Sequence, residues 1–184
     1  MRKIIVVLIL LAALSACDIF QLRDSEEPLK DPLWNDFAAS VTDAFKNIEY
    51  AYEDSRNAVK YTFLFMQDYR FYFAAQDLSD YGINPEWTQA QEQDMIFNLH
   101  QGYSDILVDW QTLDTPDEIS SSEARLYRAY TLTGKPGTGE TRILAKGNLE
   151  LQYRRVNGYW YIFKWYDYRS GPEPTWGLLK HENL

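Results

Sequence analysis

The sequence contains little of what several common functional classes require. Cys17 is the only cysteine among 184 residues, so the chain cannot form an internal disulfide. The two histidines belong to no cysteine and histidine cluster with the spacing of metal ligands, and no metal or other cofactor is expected. Lysine and arginine total 18 residues against 27 aspartates and glutamates, which gives a net charge of −9. That charge argues against nucleic acid or an anionic membrane surface as the main partner.

Long apolar runs are also absent. The run Ile4–Leu14 has eleven residues, too few to span a bilayer comfortably but within the range of a signal peptide. Arg2 and Lys3 form a basic region before it, and Ser15-Ala16-Cys17 follows the run. Small residues directly before a cysteine resemble the bacterial lipobox, in which the cysteine is diacylated and becomes the mature N-terminus. An ordinary signal peptide with an incidental cysteine is the alternative.

The lipobox resemblance implies three parts. Residues 1–16 are expected to be a lipoprotein signal peptide, residues 17–30 a lipidated Cys17 with a polar tether, and residues 31–184 a single domain. Two or three acyl chains suffice for a firm anchor where one chain is marginal. We therefore expect a domain held by its N-terminal lipid to a bacterial cell-envelope membrane, outside the cytoplasm and on the periplasmic side.

Aromatic residues, by contrast, are abundant. They make up 16% of the chain, with six tryptophans and fourteen tyrosines. The densest run, Gly158–Arg169, predicts a final β-strand because aromatic residues favour strands. Trp160 and Ile162 fall on one face of this strand and Trp165 on the other. Such a strand is either buried on both faces or changes face at a β-bulge, here near Phe163–Lys164.

Periodicity predicts the remaining elements. A helical stripe of apolar residues extends from Leu33 to Tyr52 behind an Asp31-Pro32 start signal, and a second helix follows Ser55. The third helix is predicted from about Glu86 to His100, after Asn84-Pro85, and Leu78–Ile83 is predicted to be a loop. Strands are predicted at Tyr69–Ala75, Asp105–Thr112, Ala124–Thr133 and Arg142–Arg155. In the last of these, the side chains of Ala145, Gly147, Leu149, Leu151 and Tyr153 share one face.

This order of elements resembles the nuclear transport factor 2-like superfamily, a cone-shaped α+β fold. Asn47–Val59 looks like that family's junction between its first two helices, Gln67–Phe71 like its entry to the first strand, and Gly158–Ile162 like its last strand. The resemblance covers about residues 31–170. It implies a strongly curved antiparallel sheet, wrapped on three N-terminal helices, that encloses a cone-shaped pocket.

The same resemblance implies possible enzymatic activity. Ketosteroid isomerase, polyketide cyclases and scytalone dehydratase use polar groups inside the cone. The positions that carry the isomerase chemistry fall near Ile48, Phe73 and Leu151 or Gln152, none of them acidic, which argues against that reaction here. The carboxylates left as weak catalytic candidates are Asp109, Glu150 and Asp167. Asp167 could be an acid at the cone mouth, or it could bond to backbone or to Arg169.

Two interpretations of the aromatic residues stay open. They could line a pocket for a small apolar ligand, or they could fill the cone as core. The pocket-lining candidates are Phe73, Trp87, Trp110, Tyr130, Tyr153 and Trp165. The segment Trp176–Lys180 is predicted to be a docking tail that lays an apolar patch across the sheet or a partner subunit.

The functional hypothesis that follows is a non-catalytic lipoprotein. Its domain would bind a small apolar ligand or an envelope protein partner, because no recognisable catalytic set accompanies the anchor signal. The alternative is an enzyme of the cyclase, isomerase or dehydratase type that uses carboxylates in the cone. A homodimer formed through the open face of the sheet is a third expectation.

Overall fold

A computed structural model describes residues 30–184, so the predicted signal peptide, Cys17 and nearly all of the tether lie outside the described residues. Residues 32–184 form one compact unit. Its helices are α1 (Val41–Glu53), α2 (Ala58–Tyr61), α3 (Ala75–Tyr81), α4 (Gln89–Gly102) and α5 (Trp176–Glu182), with single 3₁₀ turns at Ser55–Asn57 and Thr62–Leu64. Its strands are β1 (Phe65–Tyr72), β2 (Tyr103–Thr112), β3 (Glu118–Ile119), β4 (Glu123–Pro136), β5 (Arg142–Val156) and β6 (Tyr159–Arg169).

The first helix begins later than the sequence pattern predicts. Residues 30–40 form no helix, and α1 starts at Val41 because the hydroxyl of Ser40 caps it by accepting the backbone N–H of Asp43 at 3.1 Å. The prediction of a helix from Asp31 is therefore wrong. The apolar residues Leu33 and Phe37, assigned to the buried stripe of that helix, are instead exposed.

Helix α3 was not predicted, and helix α4 begins later than predicted. Helix α3 occupies most of the segment predicted to be a loop, and Gly82 ends it in the left-handed conformation at φ 63°. The α4 helix begins at Gln89, not near Glu86, because Thr88 and Gln91 form a capping box. Asn84 makes only a turn, in which its side chain accepts the backbone N–H of Glu86 at 3.0 Å.

The sheet is strongly curled, with strand order β1-β6-β5-β4-β2 and the short β3 paired to β4. Most neighbours are antiparallel, as predicted, but β1 and β6 are parallel. Every alternate residue of β5 from Ala145 to Tyr153 is buried, which confirms the predicted inner face.

The final strand contains a bulge, which is one of the two arrangements expected for it. In the β5–β6 ladder Gln152 pairs with Lys164 and the next residue, Tyr153, pairs with Ile162, which leaves Phe163 as the extra residue. Trp160 and Ile162 before the bulge and Trp165 and Asp167 after it therefore all lie buried on the inner side. This change of register is how one strand supplies a buried face along its whole length.

The core lies between the concave face of the sheet and the helices. Ile48, Ala51 and Tyr52 of α1 are buried, as are Met95, Ile96 and Leu99 of α4. Among residues 30–184, no helix is long and apolar enough to cross a bilayer.

Candidate functional site

The interior of the cone holds the C-terminal helix of the chain itself. Trp176, Leu178, Leu179 and Lys180 of α5 are all buried, between α4 and the concave face of β5 and β6. The structure places the run Trp176–Lys180, predicted to dock across the sheet or a partner subunit, against the concave face of the sheet inside the cone. The α5 helix occupies the space in which one of the two interpretations of the aromatic residues placed a small ligand.

Trp176 is the apolar anchor of α5. Its ring centroid lies 4.9 Å from those of Tyr52, Tyr130 and Trp165 and 5.5 Å from that of Trp110. Its indole N–H donates to the hydroxyl of Tyr52 at 2.7 Å. A buried tryptophan that packs in tilted and offset geometries and also satisfies its N–H is a strong local stabiliser.

Lys180 is the polar anchor of α5. Its ammonium group bonds to both carboxylate oxygens of Glu92 on α4, and both side chains are fully buried. The Nζ atom also lies 4.4 Å from the ring centroid of Trp165 and 4.7 Å from that of Phe71. A buried charge is tolerated only where it is paired and hydrogen-bonded, and Lys180 meets both conditions.

Glu92 collects three more donors. Tyr69 Oη donates to its Oε1 at 2.6 Å, Trp87 Nε1 donates to Oε1 at 3.0 Å, and Tyr61 Oη donates to Oε2 at 3.1 Å. Burial, followed by the negative charge of Glu92, raises the pKa of Tyr61 and Tyr69 well above the usual tyrosine range, so both keep their protons and donate. The carboxylate is therefore saturated by side chains of the protein.

Burial also governs the charge of Lys180. Desolvation lowers the pKa of its ammonium group, and the adjacent Glu92 carboxylate opposes that shift. Because the pair is enclosed by aromatic rings, neither group is exposed to solvent or to a substrate. The arrangement is that of a buried ion pair.

Asp167 holds the first turn of α5. Its Oδ1 accepts the hydroxyl of Tyr130 at 2.6 Å, and its Oδ2 accepts the backbone N–H of Gly177 at 2.6 Å. Tyr130 in turn accepts the backbone N–H of Trp176 at 2.8 Å. Burial raises the pKa of Asp167 to about 6, while its hydrogen bonds oppose the rise. The predicted bond to backbone is thus present.

Arg169 pairs with Asp77 of α3, not with Asp167. The same buried carboxylate accepts the hydroxyl of Thr175, and that hydroxyl accepts the backbone N–H of Leu178 as the cap of α5. Asp77 therefore connects α3, β6 and the start of α5.

Two glycines permit this close approach. A Cβ at Gly177 would lie 2.7 Å from a ring carbon of Phe73 and 3.2 Å from an oxygen of Asp167. A Cβ at Gly147 would lie 2.5 Å from the hydroxyl of Tyr130. All three distances are below ordinary van der Waals contact, so the seat of α5 depends on the absence of side chains at these two positions.

The pocket-lining candidates all lie in the core or pack against it, but they differ in which side chains they contact. Trp110, Tyr130 and Trp165 contact Trp176, while Phe73 and Trp87 pack on Phe71 beneath α5. Tyr153 is buried in the same core. Of the weak catalytic candidates, Asp109 is exposed and Glu150 lies on the outer face of β5, bonded to Gln152, so only Asp167 lies inside the cone.

Sequence reasoning missed the Glu92–Lys180 pair. A signal for Glu92 exists, because it precedes Met95, Ile96 and Leu99 at helical spacings of three, four and seven and so shares their buried face. Lys180 ends an apolar run. The local sequence pattern does not reveal that this run is buried inside the cone.

Some buried polar atoms within residues 30–184 lack a hydrogen-bond partner in the protein. Trp110 Nε1, Tyr153 Oη and Trp165 Nε1 are among them, and all three belong to the pocket-lining candidates. In the same part of the chain, no group of three or more histidine, cysteine, aspartate or glutamate residues is placed to hold a metal ion.

The architecture is recognised from the curled sheet that packs over α1 and α4. The fold is the nuclear transport factor 2-like cone. A candidate aromatic ring hydroxylase from Novosphingobium aromaticivorans superposes with a TM-score of 0.57 at 17% identity, over 72% of this chain and 87% of that one. A candidate scytalone dehydratase from the same organism gives 0.55 at 11% identity, over 73% and 89%.

A third similar structure is a type 2 hexachlorocyclohexane dehydrochlorinase, LinA, with a TM-score of 0.53 at 16% identity, over 70% of this chain and 81% of that one. Identities this low establish the shared fold and no shared activity. No protein-family model and no curated protein matches the sequence.

Proposed function

We propose that this chain is a membrane-anchored envelope lipoprotein whose cone is a non-catalytic module that engages a protein partner through its outer surface. The observation that carries the proposal is the occupied cone, because α5 places Trp176 and Lys180 where a ligand would otherwise lie. The lipobox-like sequence before Cys17 supports the anchor.

The seat of α5 favours a closed cone in the resting protein. Burial of an apolar side chain such as Leu178 or Leu179 stabilises the fold by about 1.5–3 kcal/mol, and removing one partner of a buried ion pair costs about 3–5 kcal/mol. A small ligand entering the cone would have to compensate for both losses. A protein partner that binds outside the cone would not.

The second candidate function is the binding or conversion of a small molecule after α5 moves out. The unpaired polar atoms of Trp110, Tyr153 and Trp165 favour it, since a ligand could satisfy them. Structural neighbours named as a dehydratase and a dehydrochlorinase have the same fold. In this hypothesis Asp167, with its pKa raised to about 6 by burial, is the candidate acid or base.

Native mass spectrometry of the full chain, extracted from membranes in mild detergent, tests both proposals. We expect a mass that corresponds to cleavage before Cys17 plus its acyl chains, with no further small molecule retained. A retained molecule that dissociates on mild activation would contradict the closed cone and support the second candidate.

A Cys17→Ser variant, purified beside the wild type, tests the anchor separately. Cys17 is both the proposed acylated residue and the cleavage point, so we expect the variant to carry no acyl chains and to keep residues 1–16, as intact mass measures. Acyl chains on the variant, or an unmodified Cys17 in the wild type, would overturn the lipoprotein assignment.

A further inference from the structure

An exposed apolar strip lies at the start of the folded domain. Phe37, Leu33 and Phe63 have the largest exposed fractions among the large apolar side chains of residues 30–184, at 72%, 69% and 69%. The side chain of Val59, four residues before Phe63, is 58% exposed. These four residues are called the apolar strip below. Single exposed apolar residues are ordinary on a protein surface, but a contiguous group indicates a contact surface.

Two contacts and a shared groove place residues 33–37 beside residues 57–63. The side chain of Asn57 donates to the carbonyl of Leu33 at 2.9 Å, and Lys60 pairs with Asp36 at 3.5 Å. Phe37 and Phe63 line the same groove. Residues 33–37 therefore lie along residues 57–63 in the same direction, with Phe37 and Phe63 at the same groove.

The groove beside the strip has a volume of about 380 Å³ and is strongly aromatic. Trp34, Tyr159 and Trp160 line it together with Phe37, whose ring centroid lies 5.6 Å from that of Tyr159. Lys60 Nζ lies 5.6 Å from the ring centroid of Trp34. Tryptophan and tyrosine rings with neighbouring lysines are the groups that favour the boundary between acyl chains and lipid headgroups.

The strip also lies close to the predicted lipid in sequence. The proposed tether, residues 18–30, has 13 residues and ends three positions before Leu33. Fully extended, it could span at most about 43–47 Å, at about 3.3–3.6 Å per residue. An anchor at Cys17 would therefore keep this side of the domain within reach of the membrane surface.

We propose that the apolar strip and its groove form a lipid-contacting surface that seats the domain on the membrane to which Cys17 is anchored. This inference rests on the proposed lipoprotein function. The proposed binding partner of this surface is the headgroup region of a zwitterionic lipid bilayer. Two cations near the strip are paired, Lys60 with Asp36 and Arg56 with Asp54, and a chain of net charge −9 is repelled by anionic headgroups.

The test uses the full acylated chain reconstituted in phosphatidylcholine vesicles that contain brominated phosphatidylcholine, which quenches nearby tryptophan fluorescence. Trp34 and Trp160 in the groove are the reporters. We expect clear quenching in the wild type and at least a threefold smaller effect in a Phe37→Ser/Phe63→Ser double variant. Equal quenching in both proteins would overturn the inference.

The matched control is a Leu107→Ser/Ile143→Ser double variant. These side chains are also exposed, at 58% and 43%, but they lie at the other end of the sheet, near the start of β5. Quenching in this control should equal that of the wild type. A loss as large as in the strip variant would mean that surface apolarity in general, and not the strip, controls the contact.

Two further measurements separate this inference from the proposed function. If the wild type is acylated at Cys17 and Cys17→Ser is not, while strip substitutions do not alter quenching in the acylated chain, the anchor stands and the lipid-contacting surface fails. If sedimentation shows a dimer that the Phe37→Ser/Phe63→Ser variant abolishes, the strip binds a second copy, and the inference is overturned as well.

Discussion

The interior of the cone and the groove outside it are both rich in aromatic rings, yet they differ in how far other parts of the chain cover those rings. Inside, the rings of Tyr52, Tyr130 and Trp165 pack on Trp176, and the buried Glu92 carboxylate is paired with Lys180. Outside, Phe37 and Phe63 remain largely exposed. A concave fold is therefore not by itself a binding site, since here the chain fills its own cavity and its most exposed large apolar side chains among residues 30–184 lie outside it.

The largest expected effect comes from the ion pair inside the cone. Lys180→Met removes the cation and leaves Glu92 buried without a counter-charge, so we expect the free energy of unfolding to fall by about 3–5 kcal/mol. Urea denaturation followed by circular dichroism measures it. A loss below 1 kcal/mol would show that the pair is not buried as described.

A Lys180→Met/Glu92→Gln double variant is the control for that prediction. Removing both charges leaves no unpaired ion, so its loss should be smaller than the sum of the losses of the two single variants. Additive losses would mean that the two residues stabilise the fold independently.

The next largest expected effect is the pH dependence that Asp167 gives to the free energy of unfolding. Burial raises its pKa from 3.8 to about 6, so between about pH 4 and pH 6 the folded state binds more protons than the unfolded state. This contribution to stability is therefore present below about pH 4, is lost as the pH rises through about 6, and has an amplitude of about 3 kcal/mol.

Asp167→Asn removes this titration while it keeps the size of the side chain. Relative to the variant, the wild type should lose about 2 kcal/mol of unfolding free energy between pH 4 and pH 6.5, measured by urea denaturation at each pH. Parallel curves for the two proteins would indicate that Asp167 titrates at an ordinary pKa and that α5 does not shield it from water.

How far the sequence predicted these features depends on the range of the interactions involved. Strand β5 and the bulge at Phe163 were predictable, because two-residue alternation and its interruption are local patterns. The start of α1 was not, because the capping bond of Ser40 outweighed the proline signal at Pro32. The parallel pairing of β1 with β6 joins strands distant in sequence, which no local pattern records.

The same distinction between local and long-range interactions applies to the candidate site. The aromatic residues of the cone were predicted as a group, but the occupant was not, since Lys180 and Glu92 are 88 positions apart. A lysine after two leucines is typical of a surface helix, so only the three-dimensional fold reveals its burial. Asp167 was identified as a candidate, and its bond to the backbone of Gly177 explains its burial without catalysis.

Gly177→Ala tests the fit of α5 with a smaller expected effect. The added Cβ would lie 2.7 Å from the ring of Phe73, so the ring or the helix must shift, at a cost of about 1–3 kcal/mol. Thermal unfolding of the variant beside Gly137→Ala, where a Cβ meets no atom within 4 Å, measures the difference. Equal stabilities would contradict the tight seat of α5.

The smallest effect belongs to the strip. Phe37→Ser/Phe63→Ser removes side chains that are 72% and 69% exposed, so the free energy of unfolding should change by no more than about 0.5 kcal/mol per site. Urea denaturation of the detergent-solubilised protein measures it. A loss comparable to that of Lys180→Met would mean that the strip is part of the core. A negligible loss, together with weaker lipid quenching, would separate the two aromatic regions by role, one stabilising the fold and the other making contact outside it.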